Sequence, residues 1–311
     1  MTIDAIHEAR MPSRYETELD NWTPQCLHAY MDEWVVGSSS VKKALATLIW
    51  ATWDLRKRSN LLITGPSGSG KSELTRAICR EIRGNCYCVD GSVLTPSGFR
   101  GLTLSSVLYD IARERRHDTR AEHPFILFID EVDKLLIGGV DKAWNAQKSG
   151  ELLKLLDHDR FVVSDDSGHN CDFDADWCSV VLLGSFAALN TKKKQSIGFN
   201  SASIDSEPEI DGETLIREGV SPEIVGRLPI VHMEAPTITT YAHAAKMFIQ
   251  KLEAETGKQI NVSSDLLVML SRVAMHKQIG CRYITQEIQK MLFNAVYEDH
   301  QADTYDLTWN P

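Results

Sequence analysis

The chain has 311 residues, 24% of them charged and 43% hydrophobic, enough for a sizeable core and two domains. A net charge of −10 and a pI of about 5.5 argue against a protein whose main task is to grip a nucleic-acid backbone. No apolar run approaches the ~18 residues of a membrane helix, the polar stretch Met1 to Asp20 has no signal-peptide core, and seven cysteines, an odd number, point to reduced thiols and a cytoplasmic setting.

Residues 1–23 read as a polar N-terminal arm. From Pro24 to Trp53 the pattern is helical, interrupted at Val36-Gly37-Ser38-Ser39-Ser40. Leu61-Leu62-Ile63-Thr64 is a short apolar strand, and Leu74, Ile78 and Ile82 recur at helical spacing further on. Between them stands Gly65-Pro66-Ser67-Gly68-Ser69-Gly70-Lys71-Ser72, a complete G-x-x-x-x-G-K-[ST] loop. Its glycines let the backbone close around phosphate, and the helix that follows presents oriented N–H groups. The expectation is a nucleoside triphosphate site. Lys71 reaches the β- and γ-phosphates there, and Ser72 ligates Mg²⁺.

Cys86 to Val89 reads as a second strand, followed by a glycine-bearing loop at 97–101 and a helix near Leu104–Arg116. Phe125-Ile126-Leu127-Phe128-Ile129-Asp130-Glu131 is apolar at every strand position and ends in two carboxylates. Such a strand is covered on both faces. Asp130 is expected beside the phosphate loop, holding Mg²⁺ through water. Glu131 is expected to polarise an attacking water, which makes the site hydrolytic. Leu152, Leu153, Leu155 and Leu156 mark a short buried helix, and Val180–Leu183 another buried strand. Alternating strands and helices predict an α/β fold, a parallel sheet with helices on both faces. His169, Cys171, Asp174 and Cys178 fall in one loop, but their spacing fits no common zinc pattern. The stretch from Asn190 to Gly212 is polar and without periodicity, as long functional or disordered loops are. Beyond Pro236 come three helical patterns, Thr239–Thr256, Asp265–Lys277 and Arg282–Asp299, with Gly257 and Gly280 as stops. The expected organisation is an arm over 1–23, a large ATPase domain over 24–235 and a small helical domain over 236–311.

Together these residues resemble the AAA+ ATPases, and among them the ClpX protein unfoldases, from about residue 24 to residue 299. Asp32-Glu33-Trp34-Val35-Val36-Gly37 is similar to the family's adenine-contacting segment, with Val35 and Val36 as the apolar contacts. The phosphate loop, Asp130-Glu131-Val132-Asp133-Lys134 and the helix of Ser149–Leu156 match closely. Pro222-Glu223-Ile224-Val225-Gly226-Arg227-Leu228-Pro229 is similar to the arginine-finger segment, and Gly280-Cys281-Arg282 resembles the sensor-2 arginine. The resemblance implies ATP and Mg²⁺ as cofactors and a hexameric ring in which Arg227 acts on a neighbour's nucleotide. An arginine so placed is worth ~10³–10⁵ in rate. Ser97-Gly98-Phe99-Arg100-Gly101 falls where the family carries an aromatic pore loop; Phe99 takes the aromatic place and Arg100 that of an aliphatic residue. Ile197-Gly198-Phe199 falls where ClpX-like proteins carry the loop that docks the ClpP peptidase, and two apolar side chains in a hydrophilic loop suit a pocket on a partner.

Three departures stand out. No cysteine pair precedes Cys79, so the family's N-terminal zinc domain is not expected. The loop Ser164–Asn170 is acidic where the family has a basic one, and the sensor-1 position is filled by no clear polar residue, Ser185 being the candidate. The expected activity is ATP-driven unfolding of protein substrates threaded through a pore for a ClpP-type peptidase. Two alternatives stay open. One is a remodelling chaperone that needs no protease. The other is a nucleic-acid motor or loader on the same ATPase fold, which the acidic charge and Phe99 disfavour.

Overall fold

The computed structural model describes residues 22–82, 84–95, 102–117, 123–137, 150–186, 210–277 and 279–308. The strands are β1 (Asn60–Thr64), β2 (Cys86–Asp90), β3 (Phe125–Asp130), β4 (Arg160–Ser164), β5 (Asn170–Asp174), β6 (Cys178–Gly184), β7 (Ile230–His232), β8 (Gln259–Val262) and β9 (Thr304–Leu307). Five of them form one sheet in the order β2-β3-β6-β1-β7, and every neighbouring pair is parallel.

Successive side chains of a strand point to opposite faces, and here both faces are covered. Leu62, Leu127, Ile129, Val180 and Leu182 enter one core with the helix Leu104–His117 and the buried leucines of the helix at 150–156. Leu61, Ile63, Ile126, Phe128, Val181 and Leu183 enter the other, with the helix Ser39–Trp53 and the helix Lys71–Glu81. Each such side chain contributes ~1.5–3 kcal/mol by leaving water, which explains why these strands read as unbroken apolar runs. Register brings the carboxyl ends together, Thr64 opposite Gly184 and His232, Asp130 opposite Asp90. Ligands of open parallel sheets bind at that edge.

Two features differ from the expected pattern. The polar segment around His169 and Cys171 is a hairpin, β4 paired antiparallel with β5, and Phe161 and Phe173 stack at 5.6 Å across it. Its outward positions are polar apart from the exposed Val162, so the alternation that marks a strand is weak. The C-terminal region holds the helices Ile238–Thr256, Ser264–Lys277 and Cys281–Glu298 around a third core that includes Tyr241, Leu267, Leu270, Ile284 and Ile288. It also holds a parallel pair, β8 with β9, that a purely helical reading omits. Each of these strands has four residues, too few for a periodic pattern to stand out. Among the described residues no helix is long and apolar enough to cross a membrane.

Candidate active site

The phosphate loop leaves β1 and turns directly into the helix Lys71–Glu81. Its glycines are needed because the surroundings leave no room. A methyl group on Gly65 would lie 2.6 Å from the Met233 carbonyl oxygen, and one on Gly70 would lie 2.9 Å from Val35 Cγ1. Lys71 is folded back into the loop, 8% exposed, its ammonium donating to the carbonyls of Gly65 at 2.6 Å and Pro66 at 2.7 Å. Burial pulls its pKa down to about 8, opposed by the charges of Asp130 and Asp133. Pro66, Ser67, Gly68 and Ser69 complete the turn, Ser69 offering its hydroxyl to Lys71 at 3.3 Å.

The end of β3 meets this loop across β6. Ser72 Oγ donates to Asp130 Oδ2 at 2.5 Å, and the Glu131 N–H donates to Asp130 Oδ1 at 2.9 Å. Both oxygens of Asp130 are thereby aimed. Glu131 is exposed, with a φ of +51°, a left-handed conformation that a non-glycine residue adopts at a cost. Gly91, just after β2, makes room for it: a methyl there would lie 2.9 Å from the Asp130 carbonyl oxygen and 3.2 Å from that of Glu131. A glycine directly after a strand whose neighbour ends in two carboxylates is the signal that could have found it.

Ser185 follows β6, and its N–H and hydroxyl both donate to the buried carboxylate of Asp133, at 3.3 and 3.2 Å. Asp133 thus orients Ser185, the sensor-1 candidate, a contact its place in the motif did not reveal. Val35 is buried and Val36 half-buried. Lys42, 1% exposed, donates to the Val35 carbonyl and to Asp32 Oδ1, the latter at 2.5 Å. A lysine on an otherwise apolar helix face was the cue.

Arg227 forks onto the carboxylate of Asp157 through Nε and Nη2, and its Nη1 donates to the Glu223 carbonyl at 2.7 Å. Its own carbonyl accepts from Asn60 Nδ2 at 3.4 Å, at the start of β1 and so at the opposite end of that strand from the phosphate loop. Arg282 is exposed in the first turn of the last helix, two residues after Gly280, which lies against Gly68. Phe99, Arg100, Ile197, Gly198 and Phe199 lie outside the described residues, although Thr95 and Leu102 are joined by an N–H to carbonyl bond of 2.7 Å. In the hairpin, His169 is bonded to Asp165 at 2.8 Å, and at the start of β6 burial pushes the Cys178 thiol far up.

A parallel sheet in this order, a glycine-rich phosphate loop, a carboxylate pair on the next strand but one and a helical region closing on the loop define a P-loop ATPase of the AAA+ class. Residues 61–164 match the profile of the ATPase family associated with various cellular activities (AAA). Over a longer span the chain is similar to the ATP-dependent Clp protease ATP-binding subunit ClpX of Treponema denticola, 23% identical over 89% of this chain and 77% of that protein. It is 25% identical to the ClpX of Porphyromonas gingivalis over 86% of this chain and 75% of the relative, and 25% identical to that of Borrelia duttonii over 89% and 74%. Residues 61–164 thus carry an AAA ATPase domain, the chain is similar to ClpX over most of its length, and the two together support an enzyme that binds and hydrolyses ATP as Clp-type ATPase chaperones do.

Proposed function

We propose that this ATPase works as a hexameric ring that unfolds protein substrates by drawing them through its pore, in the cytoplasm, and delivers them to a ClpP-type peptidase. The observation that carries the ring is the place of Arg227. It lies beside the amino end of β1, whereas the phosphate loop leaves the carboxyl end, ~13 Å away along the strand. That is further than one arginine side chain reaches, which supports the reading of Arg227 as a finger for a neighbouring subunit's nucleotide.

The donor set fits Mg²⁺, which takes one or two protein oxygens and keeps water and phosphate oxygens for the rest. Ser72 would supply one such oxygen, and Asp130, 2.5 Å from it, would hold the ion through water. The ion, when bound, neutralises charge on the phosphates. Gly65 to Ser72 wrap the phosphates, with Lys71 releasing its grip on the loop carbonyls to meet them. Val35 and Val36 flank the base. Glu131 orients the attacking water and takes its proton, Arg227 of the adjoining subunit stabilises the charge that develops, and Arg282 links the helical region to nucleotide state. Phe99 and Arg100 contact the threaded chain, and Ile197-Gly198-Phe199 dock the peptidase, repeated copies in a ring making a weak contact sufficient.

Purified protein should hydrolyse ATP faster with unfolded protein than without, and Arg227→Ala mixed with Lys71→Ala should recover turnover that neither has alone. Stimulation by DNA and not by protein would turn the reading towards a loader. If the intact protein with ATP fails to bind its host's ClpP at micromolar concentration, the protease step is dropped and a remodelling chaperone remains.

A further inference from the structure

We propose that Asp157 is the positioning residue for Arg227, gripping the guanidinium from the side so that its tip projects towards the nucleotide of the adjoining subunit. This rests on the reading of Arg227 as a finger acting between subunits.

Arginine has five N–H donors in a planar fork. Three are engaged here: Nε and Nη2 on Asp157, the latter at 3.0 Å, and Nη1 on the Glu223 carbonyl at 2.7 Å. The remaining two, one on each terminal nitrogen, form the tip. A parallel pair of N–H groups matches two oxygens of a phosphate. A lone arginine on a surface samples many rotamers. One clamped along its edge presents a single geometry, and misplacement of about 1 Å can cost ~10²-fold in rate.

Both ends of the clamp are anchored to the same core. Asp157 follows the helix at 150–156, whose Leu152, Leu155 and Leu156 pack with Ile224 and Leu228 on either side of Gly226 and Arg227. The Asp157 N–H closes onto the Leu153 carbonyl at 2.8 Å. Asn60 then ties the two segments together, its Nδ2 donating to the Leu156 carbonyl at 2.9 Å and the Arg227 carbonyl at 3.4 Å. The side chains of Arg227 and Asp157 remain 35% and 37% exposed, and ion pairs this exposed add little to stability. The pair therefore makes better sense as aim than as glue.

An opposite role is also chemically coherent: Asp157 could hold Arg227 away from the nucleotide until the ring forms. The two roles differ in sign. As a positioning residue, Asp157→Ala lowers kcat for ATP by ~10- to 100-fold and leaves KM within ~2-fold, and Asp157→Glu restores part of the rate. In an Arg227→Ala background the same change costs nothing further. Mixing Asp157→Ala with Lys71→Ala recovers turnover, since the fault lies in what a subunit gives its neighbour. Asp157→Asn, which keeps one acceptor, is the second variant should Asp157→Ala melt early. Faster hydrolysis in Asp157→Ala overturns the proposal in favour of the holding role. An unchanged rate, or an equal loss with and without Arg227, overturns it outright. If Arg227→Ala itself hydrolyses ATP normally, the finger reading falls instead, a result separate from these.

Discussion

Gly68 in the phosphate loop and Gly280 at the head of the last helix meet backbone to backbone: a methyl group on either would lie 2.8 Å from the other's Cα. Both have positive φ, +80° and +77°, so neither place suits a side chain even with room to spare. The helix whose first turn carries Arg282 thus rests directly on the loop that closes round phosphate. Whatever moves the loop moves the start of that helix, with no side chain between them to absorb the motion.

Gly280→Ala should therefore separate the two. The added methyl meets Gly68 and strains a backbone of φ +77° and ψ −163° that essentially only glycine adopts, a cost of ~1–3 kcal/mol before any clash. ATP affinity is expected to fall by about tenfold, with the helical content retained. Titration with a fluorescent ATP analogue checks this; unchanged affinity would mean that the contact is not kept when nucleotide is bound.

Lys71 predicts an unusual pH dependence. Its pKa is about 8 in the folded chain against 10.5 for a free lysine. Between those values the unfolded chain holds a proton that the folded one lacks, so this residue makes stability rise with pH there. Below pH 8 the ammonium is charged in both states and the cost of burying it is fully present, about 3 kcal/mol at ~1.36 kcal/mol per unit. Lys71→Met should melt higher than the parent at pH 7 without nucleotide, the gap closing towards pH 10.5, while losing ATP binding. A lower melting temperature at pH 7 would count against the assigned burial cost.

Gly91→Ala tests how closely Glu131 is placed. A side chain at position 91 presses on the Asp130 and Glu131 carbonyls at 2.9 and 3.2 Å. Overpacking of this kind costs ~1–3 kcal/mol. Turnover should fall about tenfold with ATP binding intact, as read by single-turnover hydrolysis. A normal rate would show that the backbone yields without moving the carboxylate.

Glu131→Gln keeps the shape and removes the base. ATP binding should persist and hydrolysis should fall by ~10²–10⁴. Turnover near the parent's rate would move the base elsewhere, Asp133 being the nearest buried carboxylate on the same turn.

What could be read in advance follows from range along the chain. The run from Leu61 to Ile82 and the run from Phe125 to Glu131 are local, and each carries its own chemistry. The last three helices declare themselves by length. The relations that were missed are long-range: Arg227 with Asp157, 70 residues apart, and Ser185 with Asp133, 52 apart. They depend on β6 lying between β3 and β1, and periodicity is silent on strand order. Short elements were missed for a different reason. β7 has three residues, and β4 and β5 are five residues each with mostly polar outward positions, so neither rises above the composition of a loop.

On the proposed reading of Val35 as a base contact, its engagement sets how the site judges a base. Its N–H donates to the Met31 carbonyl at 3.1 Å, its carbonyl takes the Lys42 ammonium, and its side chain lies against Gly70. The segment that carries Val35 and the phosphate loop are therefore one body with a set span between them. In the proposed role of base contact, Val35 would make the pocket a caliper: it would gauge the thickness of a flat ring and its distance from the phosphates, and leave the pattern of donors and acceptors on the ring's edge to be read elsewhere.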